Sequence, residues 1–224
     1  MNSQRVVGQE LRAIIFDFDG VILESNSIKT SAFLELFASY PEHQPAILRY
    51  HLENLGVSRH AKFAWIYREL LRRELSAAEG EALGERFSAL VLDKLLRCPF
   101  VPGACETLDA LYSRCLLFVA SGTPEEELRF IIEERRLGKF FSGVWGAPRG
   151  KVEIVETILR DFALQPREAL FIGDGVSDYQ AALRSGVAFV ARDTPEQHEA
   201  WRELGVPVLP DLTEVGRFAG LTAH

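Results

Sequence analysis

Five short apolar runs, at 13–16, 116–120, 144–146, 169–172 and 187–191, constrain what this 224-residue chain can fold into. Each is about one strand long, and most are apolar throughout instead of alternating. A strand covered by helices on both faces has no wet side, so unbroken apolar runs are what a covered parallel sheet requires. Helical patterns separate the runs. In 151–162, Val152, Val155, Ile158, Leu159 and Phe162 recur at helical spacing. Thr123-Pro124-Glu125-Glu126 reads as a helix start, with Thr123 as the cap, Pro124 in the first turn and Glu126 reaching back. Residues 195–204 read as one more amphipathic helix. Strands alternating with helices predict an α/β domain with a doubly wound, Rossmann-like parallel sheet.

The alternation lapses once. Between about 25 and 98 no strand pattern occurs. Ile28, Phe33, Leu34 and Phe37 lie roughly along one side of a helix over 27–39, and Phe63, Ile66, Tyr67, Leu70 and Leu71 form a second stripe. Ser76-Ala77-Ala78-Glu79 is a capping box, followed by Leu83, Phe87, Leu90 and Val91 and stopped by Pro99. A helical insertion after the first strand emerges above the carboxyl ends of the strands, where open parallel sheets bind ligands. The predicted organisation is a core of 1–24 and 99–224, with 25–98 as a helical cap over a site.

The net charge of -7 argues against nucleic acid or an anionic membrane as partner. It also means that an anionic substrate must be drawn by a locally arranged site. With no bilayer-length apolar run and no basic-then-apolar leader, the expected location is the cytoplasm. Cys98, Cys105 and Cys115 are odd in number and lack the close pairs of a zinc site, so free thiols are expected. A monomer or weak dimer is expected.

Acids gather where apolar runs end. The first run enters Asp17-Phe18-Asp19-Gly20, and the fourth enters Gly173-Asp174-Gly175-Val176-Ser177-Asp178. Carboxylates at the end of a buried strand are costly unless a cation or donor meets them. One can serve as a nucleophile toward phosphorus and a neighbour as general acid and base; the alternative is a pair of acids capping a turn before Gly20. If Asp174 lies beside Asp17, a hard divalent ion such as Mg²⁺ relieves their repulsion; the alternative is a helix cap. Asp178 is read as a supporting acid. Ser121 and the N–H groups around Gly122, after the second run, suit phosphate oxygens or a plain helix cap. Lys151 opens a helix, where the macrodipole disfavours a cation. It therefore either faces anions, pairing with Asp17 and a phosphoryl group, or is a solvated surface lysine.

Taken in order, AIIFDFDGVILES, VASGT, Lys151 and LFIGDGVSDYQAAL resemble the four motifs of the haloacid dehalogenase-like phosphatase superfamily over roughly residues 10–192. The resemblance implies Asp17 as nucleophile, Asp19 as general acid/base, and Mg²⁺ held by Asp17, the Asp19 backbone carbonyl and Asp174, with Asp178 in support. It implies that Ser121 and Lys151 bind the phosphoryl group. An acid at Asp19 implies phosphorus chemistry, because the dehalogenases of the superfamily lack one there. Leu55-Gly56-Val57-Ser58-Arg59 is similar to the specificity loop of β-phosphoglucomutases, whose arginine grips a substrate phosphate. That loop's lysine is Leu55 here, and the histidine usual at the start of the cap is Lys29. Arg59, His60 and Lys62 are candidate substrate contacts or a solvated cap surface. The expectation is a Mg²⁺-dependent phosphatase of a small phosphorylated metabolite, a sugar phosphate or similar. A phosphosugar mutase and a non-catalytic binding protein are the alternatives.

Overall fold

The computed structural model describes residues 11–221, so the outermost ends of the predicted core, 1–10 and 222–224, lie outside the described residues. The first strand, β1 (Ala13–Phe16), is followed only by helices: α1 (Asn26–Leu36), α2 (Gln44–Glu53), α3 (Arg59–Trp65), α4 (Ala77–Leu95) and α5 (Ala104–Leu111). The chain then alternates through β2 (Leu116–Pro124), α6 (Glu125–Glu134), β3 (Gly143–Ala147), α7 (Lys151–Asp161), β4 (Ala169–Gly173), α8 (Val176–Ser185) and β5 (Ala188–Arg192). It closes with α9 (His198–Leu204), β6 (Val208–Leu209) and α10 (Val215–Phe218).

The six strands form one parallel sheet in the order β3-β2-β1-β4-β5-β6. This is the doubly wound arrangement, and its order reverses between β1 and β4. Alternate residues of each strand face opposite cores. Ile14, Phe16, Val119, Ile172 and Val190 pack with α5, α6 and the helical insertion. Ala13, Ile15, Phe118, Ala120 and Phe171 pack with α7 and α8. Both sides being dry explains why the runs are apolar throughout. The insertion's aromatic centre of Phe33, Phe37, Phe63 and Phe87 is continuous with the first of these cores.

The Ser76 capping box forms as expected: its hydroxyl accepts from Glu79 N–H at 3.3 Å, and Glu79 accepts from Ser76 N–H at 3.2 Å. The predicted helix start at Thr123 does not. β2 runs on to Pro124, α6 begins at Glu125, and Thr123 caps nothing. Pairing of β2 with β3 jumps from Ala120↔Trp145 to Pro124↔Ala147, so the strand carries a bulge over 121–123. A bulge redirects side chains, and the Thr123 hydroxyl is used by the site instead. The helix predicted over 195–204 begins later, at His198.

Candidate active site

The β1–β4 junction sets the position of the acids. Asp17 N–H still donates to the Ile172 carbonyl at 2.9 Å, one more rung beyond the end of β1. Asp17 thus stands beside the end of β4, which leads directly to Asp174. The carboxylate of Asp17 accepts from Phe18 N–H at 2.6 Å through Oδ1 and from Lys151 Nζ at 2.7 Å through Oδ2. Lys151, the first residue of α7, also donates to Asp178 Oδ1. Asp178 in turn accepts from Gly175 N–H at 3.0 Å, so the first turn of α8 is satisfied from within. Asn26, the first residue of α1, donates to Asp174 Oδ2. Gly20, at φ +71°, makes room for that carboxylate, since a Cβ there would lie 2.0 Å from Asp174 Oδ2.

Asp17, Asp174 and Asp178 are all buried and present oxygen atoms within 4.8 Å of one another. Three carboxylates against the single ammonium of Lys151 leave an excess of two negative charges. Burial, opposed by Lys151 and reinforced by Asp178, pushes Asp17 up to about 7. Burial with the charges of Asp17 and Asp178 raises Asp174 as well. Lys151 is held protonated above its usual range: burial acts against the ammonium, and Asp17 and Asp178 outweigh it. A hard divalent ion fits this donor set, because it takes oxygen ligands and cancels the excess charge.

A pH dependence follows. Acids whose folded pKa is raised bind more protons folded than unfolded, so without metal they cost stability as pH rises from about 4 to about 7. A cation that replaces those protons stabilises most where the acids are ionised. Saturating Mg²⁺ should raise Tm by roughly 5–10 °C at pH 8, and by clearly less at pH 5. Calorimetric scans with Mg²⁺ and with chelator, at both pH values, check this; equal shifts would contradict it.

Asp19 stands apart from the cluster. Its Oδ1 accepts from Ser25 Oγ at 2.7 Å, and its Oδ2 accepts from Thr123 Oγ1 at 2.9 Å and from Lys29. Lys29 also donates to Thr123 Oγ1 at 2.7 Å, which ties α1 to the bulge in β2. Burial alone would raise Asp19, but Lys29 and the two hydroxyls outweigh it and lower its pKa.

The loop before α3 closes over these groups. Gly56 sits at φ +78°, and a Cβ on it would lie 2.6 Å from Lys151 Nζ and 2.5 Å from Ser177 Oγ. Ser177 donates to the Leu55 carbonyl at 2.9 Å, latching the loop to α8. Gly122 meets the same loop, its missing Cβ only 2.4 Å from the Gly56 carbonyl. Gly56→Ala therefore opposes this approach, and the phosphatase activity expected from the sequence motifs should fall about 100-fold in kcat/KM for an aryl phosphate while the thermal transition stays cooperative. Wild-type turnover by that variant would show that the loop need not close.

Beneath the loop is a cavity of about 40 Å³, lined among others by Asp17, Asp19, Ser121, Lys29, Lys62 and His51. Ser121 Oγ accepts from Thr123 N–H at 3.2 Å, while the start of α6 lies farther along the chain. Lys62 is buried at the cavity wall. Arg59 lines the cavity too, but its guanidinium is held by Glu127 and by Ser88, the latter at 2.7 Å. His60 is outside the cavity lining. Asn26, His51 and Thr123 as a site residue escaped sequence reasoning. Lys29 drew notice only as a departure from a mutase pattern. A basic residue at that departure was the one available signal.

Comparison with known proteins gives the class to which this fold and site belong. A profile of the haloacid dehalogenase-like hydrolases matches residues 11–186, so the chain belongs to that family. Among curated relatives, phosphoglycolate phosphatase 1 of Pseudomonas aeruginosa is 25% identical over 195 residues, covering 80% of this chain and 68% of that protein. The phosphoglycolate phosphatase of Synechococcus elongatus is 26% identical over 186 residues, covering 81% and 83%. A Bacteroides vulgatus protein provisionally named β-phosphoglucomutase shares the fold, with TM-score 0.75 and 18% identity over 94% of this chain and 89% of that one. No helix among the described residues is long and apolar enough to cross a membrane.

Proposed function

We propose that the chain is a Mg²⁺-dependent phosphomonoesterase that passes the phosphoryl group of a small metabolite through the carboxylate of Asp17. The observation that carries this reading is the Lys151–Asp17 pair at 2.7 Å inside a cluster of three buried carboxylates at the sheet's switch point. Asp17, Asp174 and Asp178 would hold the ion, which supplies neutralisation of the acids and of the incoming phosphoryl oxygens. Ser121, the N–H groups near Gly122 and Lys151 orient the phosphoryl group, and residues 25–98 act as the cap that excludes water.

Asp17 attacks phosphorus, the bond to the leaving alkoxide breaks, and Asp19 gives that oxygen a proton. Asp19 then takes a proton from water as the water oxygen attacks the aspartyl phosphate, which releases inorganic phosphate and restores Asp17. With Lys29 on it, Asp19 is held ionised, the form suited to the second step. The first step requires the protonated form, so substrate must draw Lys29 away.

The mutase alternative needs Arg59 for a second phosphate, and Glu127 already holds that fork. Hydrolysis is favoured. Phosphate release from an aryl phosphate, with Mg²⁺ and with chelator, tests the reading: metal-dependent release supports it, and no release contradicts it.

A further inference from the structure

Three cations line the cavity, Lys29, Arg59 and Lys62, and Lys151 reaches Asp17 beside it; Lys29 pairs with Asp19, Arg59 with Glu127, and Lys151 with Asp17 and Asp178. Lys62 differs. It is only 3% exposed, yet no carboxylate among the described residues forms an ion pair with it. Its ammonium meets His51 Nδ1 at 3.2 Å, the His51 carbonyl at 3.4 Å, and the face of Phe33 at 5.3 Å from the ring centroid. As donor to Nδ1 it leaves the His51 proton on Nε2, which lies 3.1 Å from Thr30 Oγ1. Burial and the charge of Lys62 keep that imidazole neutral, down to about 2, so His51 brings no opposing charge.

A buried ammonium without an anion is costly, and the surroundings compound the cost. Burial, then Lys29 and Lys151, outweigh the charges of Asp174 and Asp19 and bring Lys62 down to about 7. A negatively charged occupant relieves all of this at once. Asp17 and Ser121, which the proposed reading gives to the phosphoryl group, come from core loops, whereas the hydrogen bonds and ring contact of Lys62 are all with the insertion. The cavity of about 40 Å³ compares with the 10–15 Å³ that one water needs, so it offers little more than three such volumes. So small a space suits a short tail better than a sugar ring.

We propose that Lys62, backed by His51 and Phe33, is a subsite for a carboxylate on the substrate, so that the enzyme selects short phosphoesters of hydroxy acids. This rests on the phosphomonoesterase reading above and names its substrate class.

The test compares phosphoglycolate with hydroxyethyl phosphate, which has a neutral tail of similar length, in the wild type and in Lys62→Met. The wild type should favour phosphoglycolate by about 10- to 100-fold in kcat/KM, or about 1.4–2.8 kcal/mol. Lys62→Met should lower phosphoglycolate turnover at least about tenfold more than hydroxyethyl phosphate turnover, chiefly through KM. Its Tm should not fall, because an unpaired buried charge is lost. A wild type without preference, or equal losses on both substrates, overturns the inference while leaving the phosphatase reading standing. Release from neither substrate overturns both. If Lys62→Met fails to fold, the wild-type preference decides the matter alone.

Discussion

Asp17→Asn should lose at least about 10⁴-fold in phosphate release while keeping its fold, because an amide cannot form the aspartyl phosphate. The fold survives for a local reason. Asp17 is one of three crowded carboxylates and is already pushed up to about 7 by burial, so a neutral side chain of the same shape relieves repulsion. Lys151 keeps Asp178 as its partner. The amide oxygen can still accept one of the two hydrogen bonds that the carboxylate now takes from Phe18 N–H and Lys151. Steady-state phosphate release beside a thermal melt checks both halves. Activity within tenfold of wild type would remove Asp17 from the chemistry, and a collapsed melt would show that its charge holds the fold.

Lys151→Met should have the next largest effect, on stability and activity together. It leaves Asp17, Asp174 and Asp178 buried with no cation among them. Breaking a buried ion pair by removing one partner costs about 3–5 kcal/mol, which corresponds to a Tm lower by about 6–20 °C in a chain of this size. Divalent cation should recover part of that loss, since it neutralises the same oxygens. Turnover should not recover with it, because the proposed function also has Lys151 orient the phosphoryl group. Melts and phosphate release at several Mg²⁺ concentrations separate the two effects. An unchanged Tm without metal would mean the carboxylates are protonated or solvated instead of paired.

The sheet was legible because its strands are covered on both faces, which makes them apolar throughout and therefore visible. The acids were legible for a related reason: a carboxylate at the end of such a run contradicts its surroundings. What sequence hid was decided by contacts between distant segments. Thr123 has every local mark of a helix cap, but its hydroxyl is committed to Asp19 and Lys29, 104 and 94 residues away. β6 has two residues, too few to show a pattern. α2 buries only Ile47 and His51, so it carries no stripe and His51 gave no sign of reaching a cavity. Arg59 and Lys62 looked alike as basic residues of one loop and helix. Glu127, on α6 of the core, takes up Arg59 and leaves Lys62 unpaired, and their sequence positions cannot reveal that difference.

The central claim is that phosphate rests covalently on Asp17 between two half-reactions. Acid quenching of the wild-type enzyme during turnover of a radiolabelled aryl phosphate, followed by peptide mapping, tests it most directly. The account predicts a hydroxylamine-labile label on the peptide that carries Asp17. Label on another residue, or none at any time while phosphate is being released, would contradict it.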